Sequence, residues 1–244
     1  MVCKTSIQRF DSAPRLFHKM ANTRKNLDFH PPELWYLVGL IASDGCLSKD
    51  GRHIDITAKE YDFLEKIRNQ VGLKVKIGIK NRGRSNEAYH IQISNKNFYE
   101  FLLSIGLKPA KSLNLKEINI PENNFIDFCR GVIDGDGNIR RWIHTSNKTE
   151  QWSLRVYSSS LLFLGWLNDQ ITLYLKAKGK IYKAKPRKDR EDSYILKYGK
   201  MAAKKILGCC YYPQALALDR KMLLARKCCS SFAGWSKSKT VTLN

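Results

Sequence analysis

Two aspartates, Asp44 and Asp136, each directly precede a glycine and lie 92 residues apart in a chain of 244 residues. A stretch of apolar residues at helical spacing leads up to each Asp-Gly pair, and such pairs often end a helix. If the two helices pack side by side, the carboxylates converge, and they repel each other unless a cation lies between them. Hard divalent cations such as Mg²⁺ accept carboxylate and carbonyl oxygens. The pair therefore predicts a divalent-metal site, with the helix-end carbonyls of Ser43 and Gly135 as further ligands.

A metal site of this kind can generate a hydroxide nucleophile, polarise a phosphate and stabilise a leaving 3′-oxygen, which is the metal-assisted route to phosphodiester cleavage. Either aspartate alone would be explained as well by a structural helix end, so it is the duplication that favours metal binding. Asp134 has no acidic counterpart, because Ala42 occupies the equivalent position in the first helix, and we interpret Asp134 as a structural or peripheral residue.

Gly39 and Gly131 interrupt the two apolar helices, each five residues before the aspartate. A glycine inside a helix costs about 1 kcal/mol relative to alanine, and close approach of two helix backbones would offset that cost. A single glycine could be incidental, but two at the same spacing predict that the helices pack through Gly39 and Gly131. Arg130 must then point away from the seam between the helices.

These helices open two degenerate copies of one pattern, and each copy reads as helix, two strands, helix, two strands, helix. The predicted elements are residues 31–44, 54–57, 61–71, 74–80 paired with 88–94, and 97–105 in the first copy, and residues 121–136, 152–157, 161–175, 180–185 paired with 193–198, and 201–210 in the second. This predicts an α+β fold of two pseudo-symmetric αββαββα repeats with antiparallel sheets. The predicted divisions are a basic N-terminal extension (residues 1–30), the first repeat (31–115), the second repeat (116–232) and a C-terminal tail (233–244).

The second copy is 13 residues longer than the first, since Tyr89 and Tyr194 fall at equivalent places 105 residues apart. We expect most of the added residues in a polar loop over residues 145–151.

The chain carries a large excess of positive charge, because 43 Lys and Arg against 22 Asp and Glu give a formal net charge of +21. Such an excess favours polyanionic partners, nucleic acid first. The chain has no apolar run long enough for a membrane span and no strongly amphipathic basic helix. We therefore expect a soluble intracellular protein, in a bacterial cytoplasm or an organelle matrix. The basic first thirty residues fit either a transit peptide or an arm that contacts DNA.

Residues 37–45 (LVGLIASDG) and 129–137 (CRGVIDGDG) resemble the signature of the LAGLIDADG homing endonucleases. Because the same elements follow each copy, the resemblance extends over roughly residues 31–230. It implies a monomeric single-chain enzyme whose two signature helices pack together and whose antiparallel sheets form a saddle on double-stranded DNA. It also implies a staggered double-strand cut in a long asymmetric target, with Mg²⁺ or Mn²⁺ held at Asp44 and Asp136. Each of the two aspartates would act in the cleavage of one DNA strand.

The resemblance further implies a catalytic role for Lys111 and Lys221, which each follow the closing helix of a repeat. In the family, a lysine at this place lies close to the scissile phosphate, where it would stabilise negative charge or hold water. The alternative is a solvated surface lysine without a role in the reaction.

The basic hairpins are the predicted DNA-binding surface, because two-stranded ribbons fit the major groove and arginine can pair with guanine there. Strand alternation would place Lys74, Lys76 and Lys80 on one face of the first hairpin. A basic run often covers only a solvated face, but here the runs recur at equivalent places in both repeats. The predicted DNA-binding residues are Arg52, His53, Lys74, Lys76, Lys80, Arg82, Arg84, Arg140, Arg141, Arg155, Lys180, Lys183, Lys185, Arg187, Lys188 and Arg190.

Other cofactors are not indicated by the sequence. It has no glycine motif for a nucleotide or organic cofactor, its five histidines are scattered, and its seven cysteines lack the spacing of a zinc site. Two alternatives on the same fold are an RNA-splicing maturase, which would bind RNA of a host intron, and a DNA-binding protein that does not cut. A structural basic protein of ribosome or chromatin would not require a duplicated helix that ends in Asp-Gly.

Overall fold

The computed structural model describes residues 30–81, 87–185 and 192–231. The predicted N-terminal extension up to residue 29 and the predicted C-terminal tail lie outside the described residues. The same holds for five predicted DNA-binding residues, namely Arg82, Arg84, Arg187, Lys188 and Arg190.

The first repeat has the predicted order of helices and strands, followed by one short helix. Its elements are α1 (Pro31–Ser43), β1 (Gly45–Leu47), β2 (His53–Ala58), α2 (Tyr61–Gln70), β3 (Ile77–Asn81), β4 (Glu87–Ser94), α3 (Lys96–Ser104) and the short α4 (Lys111–Asn114). Pro31 and Pro32 occupy the first positions of α1, where a missing N–H is tolerated. The Asn95 side chain caps α3 by accepting a hydrogen bond from the N–H of Phe98.

The second repeat has the same order, which confirms the αββαββα pattern in both halves. A 3₁₀ turn at Glu122–Asn124 leads into its elements, which are α5 (Phe125–Asp136), β5 (Gly137–Ile143), β6 (Glu150–Ser158), α6 (Leu161–Leu175), β7 (Lys180–Lys183), β8 (Tyr194–Tyr198) and α7 (Lys200–Cys210), followed by α8 (Asp219–Ser230). The Ser160 hydroxyl caps α6, as Asn95 caps α3. Among the described residues, no helix is both long and apolar enough to cross a membrane.

Each repeat contains one four-stranded antiparallel sheet, and the two sheets have the same topology. Sheet 1 has the strand order β1-β2-β4-β3, and sheet 2 has the order β5-β6-β8-β7. Apolar side chains on one face of each sheet, such as Ile54 and Ile56 in sheet 1 and Leu154 and Val156 in sheet 2, belong to the buried core. The alternating residues lie on the opposite face, which we call the open face.

The buried core is continuous through both repeats, and α1 lies at its centre. Every residue from position 34 to position 42 is buried, so this helix is covered on all sides. The described part of the chain therefore behaves as one packing unit, with α1 and α5 at the junction of the repeats.

The second repeat is longer than the first at two places. Gly45 pairs with Ile56 eleven residues later, whereas Gly137 pairs with Val156 nineteen residues later. The other added residues lie between β6 and β8, where α6 has 15 residues against 10 in α2. The predicted loop over residues 145–151 is wrong in part, because β6 begins at Glu150 and most of the residues added to the hairpin lengthen β5 and β6.

The basic ribbons are shorter than the sequence predicts. β3 begins at Ile77, because β4 pairs with β3 only over residues 87–91. Lys74 and Lys76 therefore precede the strand, and alternation does not place them on one face with Lys80. Lys185 likewise lies beyond the end of β7.

Candidate functional site

The two helices that carry the repeated nonapeptides, α1 and α5, touch through their glycines. A Cβ atom added to Gly39 would lie 2.1 Å from the carbonyl oxygen of Phe128, and one added to Gly131 would lie 2.1 Å from that of Tyr36. No side chain fits into such a gap, so the backbones can approach this closely only where both residues are glycine. The structure thus places both predicted glycines in the seam between α1 and α5.

Asp44 and Asp136 stand at the ends of these packed helices. The N–H of Asp44 donates to Leu40 O at 2.9 Å and closes α1, and Asp136 is the last residue of α5. Each acid lies against the end of the other helix, since Asp44 lines a cavity with Gly135 and Asp136 lines another with Ser43. A Cβ atom at Gly135 would lie 3.4 Å from Oδ2 of Asp44. The four predicted metal ligands therefore form two pairs, and in each pair the aspartate of one helix lies beside the end residue of the other helix.

Both carboxyl groups are harder to ionise than free aspartate. Burial, followed by the charge of Asp44, raises the pKa of Asp136 to about 6. Burial also raises the pKa of Asp44, and three nearby cations oppose this rise: Lys221, Lys111 and Arg220. The positive charge supplied by the protein is thus insufficient to hold both carboxylates ionised without a penalty.

This donor set fits a hard divalent cation. Two carboxylates and two helix-end carbonyls are oxygen ligands of the kind that Mg²⁺ and Mn²⁺ accept. Within the described ranges there is no cluster of three or more His, Cys, Asp and Glu side chains that could hold a metal ion. Water or substrate oxygens would therefore have to complete the coordination.

Lys111 and Lys221 cap the C-terminal ends of the two helices. Lys111 Nζ donates to Gly45 O at 2.6 Å and to Ser43 O at 3.4 Å. Lys221 Nζ donates to the carbonyl oxygens of Ile133 at 2.6 Å, Asp134 at 2.6 Å and Gly135 at 3.2 Å. A cation at this place opposes the negative end of the helix dipole and satisfies carbonyls that the helix leaves without a partner.

Both ammonium groups are buried, with residue exposures of 6% and 3%. Burial lowers the pKa of Lys221 to about 8 and also lowers the pKa of Lys111. Sequence reasoning missed the capping contacts, because the partners lie at least 66 residues away along the chain. The one signal in the sequence is that the lysines occupy equivalent places in the two repeats.

Asp134 has a structural position, in agreement with its interpretation from the sequence. Its carboxylate accepts hydrogen bonds from the hydroxyls of Tyr36 at 2.8 Å and Tyr211 at 2.6 Å, and from the N–H of Leu218 at 2.8 Å. These contacts tie α1 and the segment between α7 and α8 to α5.

Arg130 is buried beside the seam, with 1% exposure. It donates to Leu216 O at 2.8 Å and to Asp127 Oδ1 at 2.7 Å, so the side chain points out of the seam toward the segment between α7 and α8. Its guanidinium still contacts α1, because it lies 5.1 Å from the ring centroid of Tyr36.

The open face of sheet 1 is polar but carries almost no net charge. Lys80 Nζ donates to Asp55 Oδ1 at 2.9 Å and to Thr57 Oγ1 at 3.0 Å. The predicted DNA-binding residues Lys80 and His53 lie on this face, and Arg52 lies exposed just before β2. The residues of the open face are Cys46, His53, Asp55, Thr57, Gly78, Lys80, Ala88, His90, Gln92 and Ser94.

The open face of sheet 2 is strongly basic. Three of its cations, Arg140, Arg155 and Lys180, are predicted DNA-binding residues. Sequence reasoning missed a fourth, Lys197, because it lies in a mostly apolar strand, although alternation along that strand could have indicated its direction. The residues of this open face are Asn138, Arg140, Trp142, Gln151, Ser153, Arg155, Tyr157, Lys180, Tyr182, Ile195 and Lys197.

Arg141 and Lys183 lie on the opposite face of sheet 2, so the structure does not place them on one surface with Arg140, and their prediction as DNA-binding residues stays a prediction. Successive residues of a strand point to opposite faces, so Arg141 turns away from Arg140 and forms an ion pair with Glu150. Lys183 forms an ion pair with Asp192 at 2.6 Å. The basic runs in the sequence overstate the number of cations that one surface can present.

Residues 31–106 match the family model described as a LAGLIDADG-like domain. The uncharacterized protein MJ0398 of Methanocaldococcus jannaschii is 29% identical over 169 residues, which are 64% of this chain and 57% of that protein. The match thus spans little more than half the length of this curated relative.

Solved structures resemble the whole fold. I-DmoI in complex with DNA and Ca has a TM-score of 0.52 at 17% identity, with 80% of this chain and 98% of that chain covered. The homing endonuclease I-WcaI bound to its DNA recognition sequence has a TM-score of 0.58 at 14% identity, with 92% and 94% covered. Full-length DUF199/WhiA from Thermotoga maritima has a TM-score of 0.52 at 13% identity, with 93% and 68% covered.

At these identities the structural likeness establishes the fold, and the family model matches residues 31–106, which lie within the first repeat and include the first nonapeptide. In agreement with the resemblance seen in the sequence, the first repeat is similar to a LAGLIDADG-like domain, and the chain has the two-repeat fold seen in I-DmoI and I-WcaI.

Proposed function

We propose that this chain is a site-specific DNA endonuclease that makes a staggered double-strand cut in a long asymmetric target by divalent-metal-dependent hydrolysis. One observation carries the proposal, namely the convergence of Asp44 and Asp136 where the backbones of two helices touch. A helix seam needs no acids at its end, and two carboxylates placed there are costly unless a cation joins them.

The structural neighbours support a DNA substrate and divalent cations. I-WcaI is bound to its DNA recognition sequence, and I-DmoI is in complex with DNA and Ca. A variant of I-DmoI is in complex with its target DNA in the presence of Mn. We therefore propose double-stranded DNA as the partner and Mg²⁺ or Mn²⁺ as the cofactor of this chain.

The residues of the site have separate tasks in the proposed reaction. Asp44 and Asp136 hold the cations, together with the carbonyl oxygens of Ser43 and Gly135. When bound, the divalent ion supplies an activated water and neutralises charge on the phosphate. Lys111 and Lys221 fix the carbonyls at the helix ends, and their positive charge stabilises the negative charge that develops on the phosphate.

The pseudo-symmetry of the repeats supplies one acid for each DNA strand. The two open faces would contact the duplex on either side of the cut, and because they differ in sequence and charge, the target is asymmetric. Both halves belong to one chain, so a monomer suffices. Maturase activity on a host intron and DNA binding without cleavage are the alternatives that the experiment must separate.

The proposal is tested by incubating the protein with a randomised double-stranded DNA library in Mg²⁺ and sequencing the ends of the products. Asp44→Asn and Asp136→Asn proteins are run in parallel, and chelation of the metal gives a further arm. Asp169→Asn, which removes an exposed acid on α6, is the matched control.

We expect ends with one consensus and one fixed stagger from the wild type and the control. Chelation and either active-site substitution should abolish the double-strand cut. Tight binding of a consensus without cleavage would exclude the nuclease and leave the non-cleaving protein or the maturase. Cleavage that survives both substitutions would show that Asp44 and Asp136 are not the metal ligands.

A further inference from the structure

The two open faces have the same topology but differ in charge, since that of sheet 1 is close to neutral and that of sheet 2 is positive. On the strands of sheet 1, the charge of Lys80 is cancelled by Asp55, whose carboxylate also lies 3.4 Å from His90 Nδ1. The Thr57 hydroxyl completes this cluster at 3.0 Å from Lys80 Nζ. The cation is thus engaged within the sheet, and the strands present mainly neutral hydrogen-bonding groups.

On sheet 2, four cations, Arg140, Arg155, Lys180 and Lys197, face the open side without an acid among them. Three stand in a row across the strands, since Lys197 pairs with Arg155 on one side and with Lys180 on the other. The nearby acids Glu150 and Asp192 are engaged by cations on the opposite face. Within the part of the chain that the structure describes, none of the four forms an ion pair.

This arrangement has a cost that an anionic partner would remove. Like charges placed directly opposite each other destabilise a sheet. Buried polar atoms without a hydrogen-bond partner in the described structure occur on both open faces, at Arg155 Nε and Ser153 Oγ in sheet 2 and at His90 Nδ1 in sheet 1, so they do not distinguish the two sheets. The difference between the sheets is the row of cations in sheet 2, whose mutual repulsion the charge of a phosphate would offset.

We propose that sheet 2 is the electrostatic anchor of the protein on DNA, and that the strands of sheet 1 contact their half of the duplex through a surface without net charge. This inference rests on the proposed function, because it takes DNA as the ligand. The cations of sheet 2 bind phosphates and release counterions, whereas Asp55 keeps Lys80 from doing so.

The salt dependence of binding tests this division. Fluorescence anisotropy with a labelled duplex of random sequence, in EDTA so that no cleavage occurs, measures the binding constant between about 50 and 200 mM salt. The slope of log K against log salt concentration is negative, and each phosphate contact adds about 0.9 to its magnitude. Lys197→Gln should reduce this magnitude by about 0.9, whereas Asp55→Asn, which releases Lys80, should increase it by about the same amount.

The matched control is Lys205→Gln, which removes the same charge from an exposed position on α7, away from both open faces. A wild-type protein that does not bind the duplex at all would overturn the proposed function together with this inference. If the protein binds but Lys205→Gln changes the slope as much as Lys197→Gln does, the division between the sheets is wrong and the nuclease proposal stands. The same conclusion follows if Asp55→Asn leaves the slope unchanged.

Discussion

Two aspartates of α5 show how position separates a structural residue from a proposed metal ligand. Asp134 is surrounded by two tyrosine hydroxyls and an N–H, whereas Asp136, two residues later, lies at the seam beside a second carboxylate. The sequence could distinguish them only through the repeat, because Asp136 has a counterpart in Asp44 and Asp134 has none. It could not reveal the partners of Asp134, since Tyr36 lies 98 residues away.

The raised pKa of Asp136 predicts that this residue destabilises the metal-free fold. Its pKa rises from 3.8 in the unfolded chain to about 6 in the folded protein, so the free energy of unfolding falls as pH rises through this window. Asp136→Asn should therefore raise the free energy of unfolding by about 1 to 3 kcal/mol at pH 7 and have no such effect below about pH 4. Urea unfolding in EDTA at both pH values measures this.

Asp169→Asn serves again as the control, because that acid is exposed. An Asp136→Asn protein no more stable than the wild type at pH 7 would contradict the electrostatic strain assigned to the acid pair.

Lys221, which lies on α8 and caps the C-terminal end of α5, gives a second prediction for a single residue. If Lys221 acts only on a bound phosphate, its removal will cost activity but not stability. The structure instead shows its ammonium donating to three carbonyls, and hydrogen bonds of charged groups contribute about 1.5 to 3 kcal/mol. Lys221→Met should thus lower the free energy of unfolding by about 2 to 4 kcal/mol in the absence of DNA.

Lys227→Met, at an exposed position of the same helix α8, should change the unfolding free energy by less than about 1 kcal/mol. Equal effects of the two substitutions would argue against the capping role of Lys221.

At the scale of elements, the seam between α1 and α5 tolerates no added atom. A methyl group at Gly39 or Gly131 would stand 2.1 Å from a carbonyl oxygen of the other helix, so the helices would have to separate. Either glycine-to-alanine change should lower the free energy of unfolding by about 3 kcal/mol or more. Gly165→Ala in α6 is the matched control, because a Cβ atom there meets nothing within 4 Å.

The control substitution should stabilise the protein by about 0.5 to 1 kcal/mol, since alanine favours a helix over glycine. Thermal unfolding of the three variants and the wild type measures these differences in stability. A Gly39→Ala or Gly131→Ala protein as stable as the wild type would show that the seam can open without loss.

The helices and the strand order could be predicted from the sequence because hydrophobic periodicity reports directly on burial. The directions of the basic side chains could not, because a shift of one residue in register moves a side chain to the other face of a sheet. Arg140 and Arg141 are adjacent in the sequence, yet only Arg140 reaches the open face. The capping role of the lysines was missed for a different reason, because it depends on contacts between elements that are distant along the chain.

At the scale of the whole molecule, the pseudo-symmetry is broken at the two acids. The cavity beside Asp44 has a volume of about 600 Å³ and that beside Asp136 about 260 Å³. Arg220 lines the larger cavity and forms an ion pair with Glu60 at 2.8 Å. Ala110 occupies the equivalent place in the first repeat, directly before the capping lysine Lys111, so the cavity beside Asp136 has no arginine at this place.

Arg220→Ala, which gives the second repeat the residue found in the first, should slow cleavage of one DNA strand by about tenfold or more. The reason is that Arg220 lines the cavity beside Asp44 but not the one beside Asp136, so only the strand cut at Asp44 loses a cation near its scissile phosphate. Nicked plasmid carrying the selected target should then accumulate, and strand-specific end labelling identifies the slow strand. Arg226→Ala on the same helix is the matched control, and a slowing of both strands by equal factors would contradict the asymmetry.

The thirteen residues that the second repeat has gained lie in the β5–β6 hairpin and in the helix that follows it, outside the seam where the glycines touch. Under the proposed function, growth at these places would let one half of the molecule change which bases it contacts while α1 and α5 keep the geometry of Asp44 and Asp136. New DNA targets should therefore be reached most readily by redesigning the β5–β6 hairpin, with α1 and α5 left untouched.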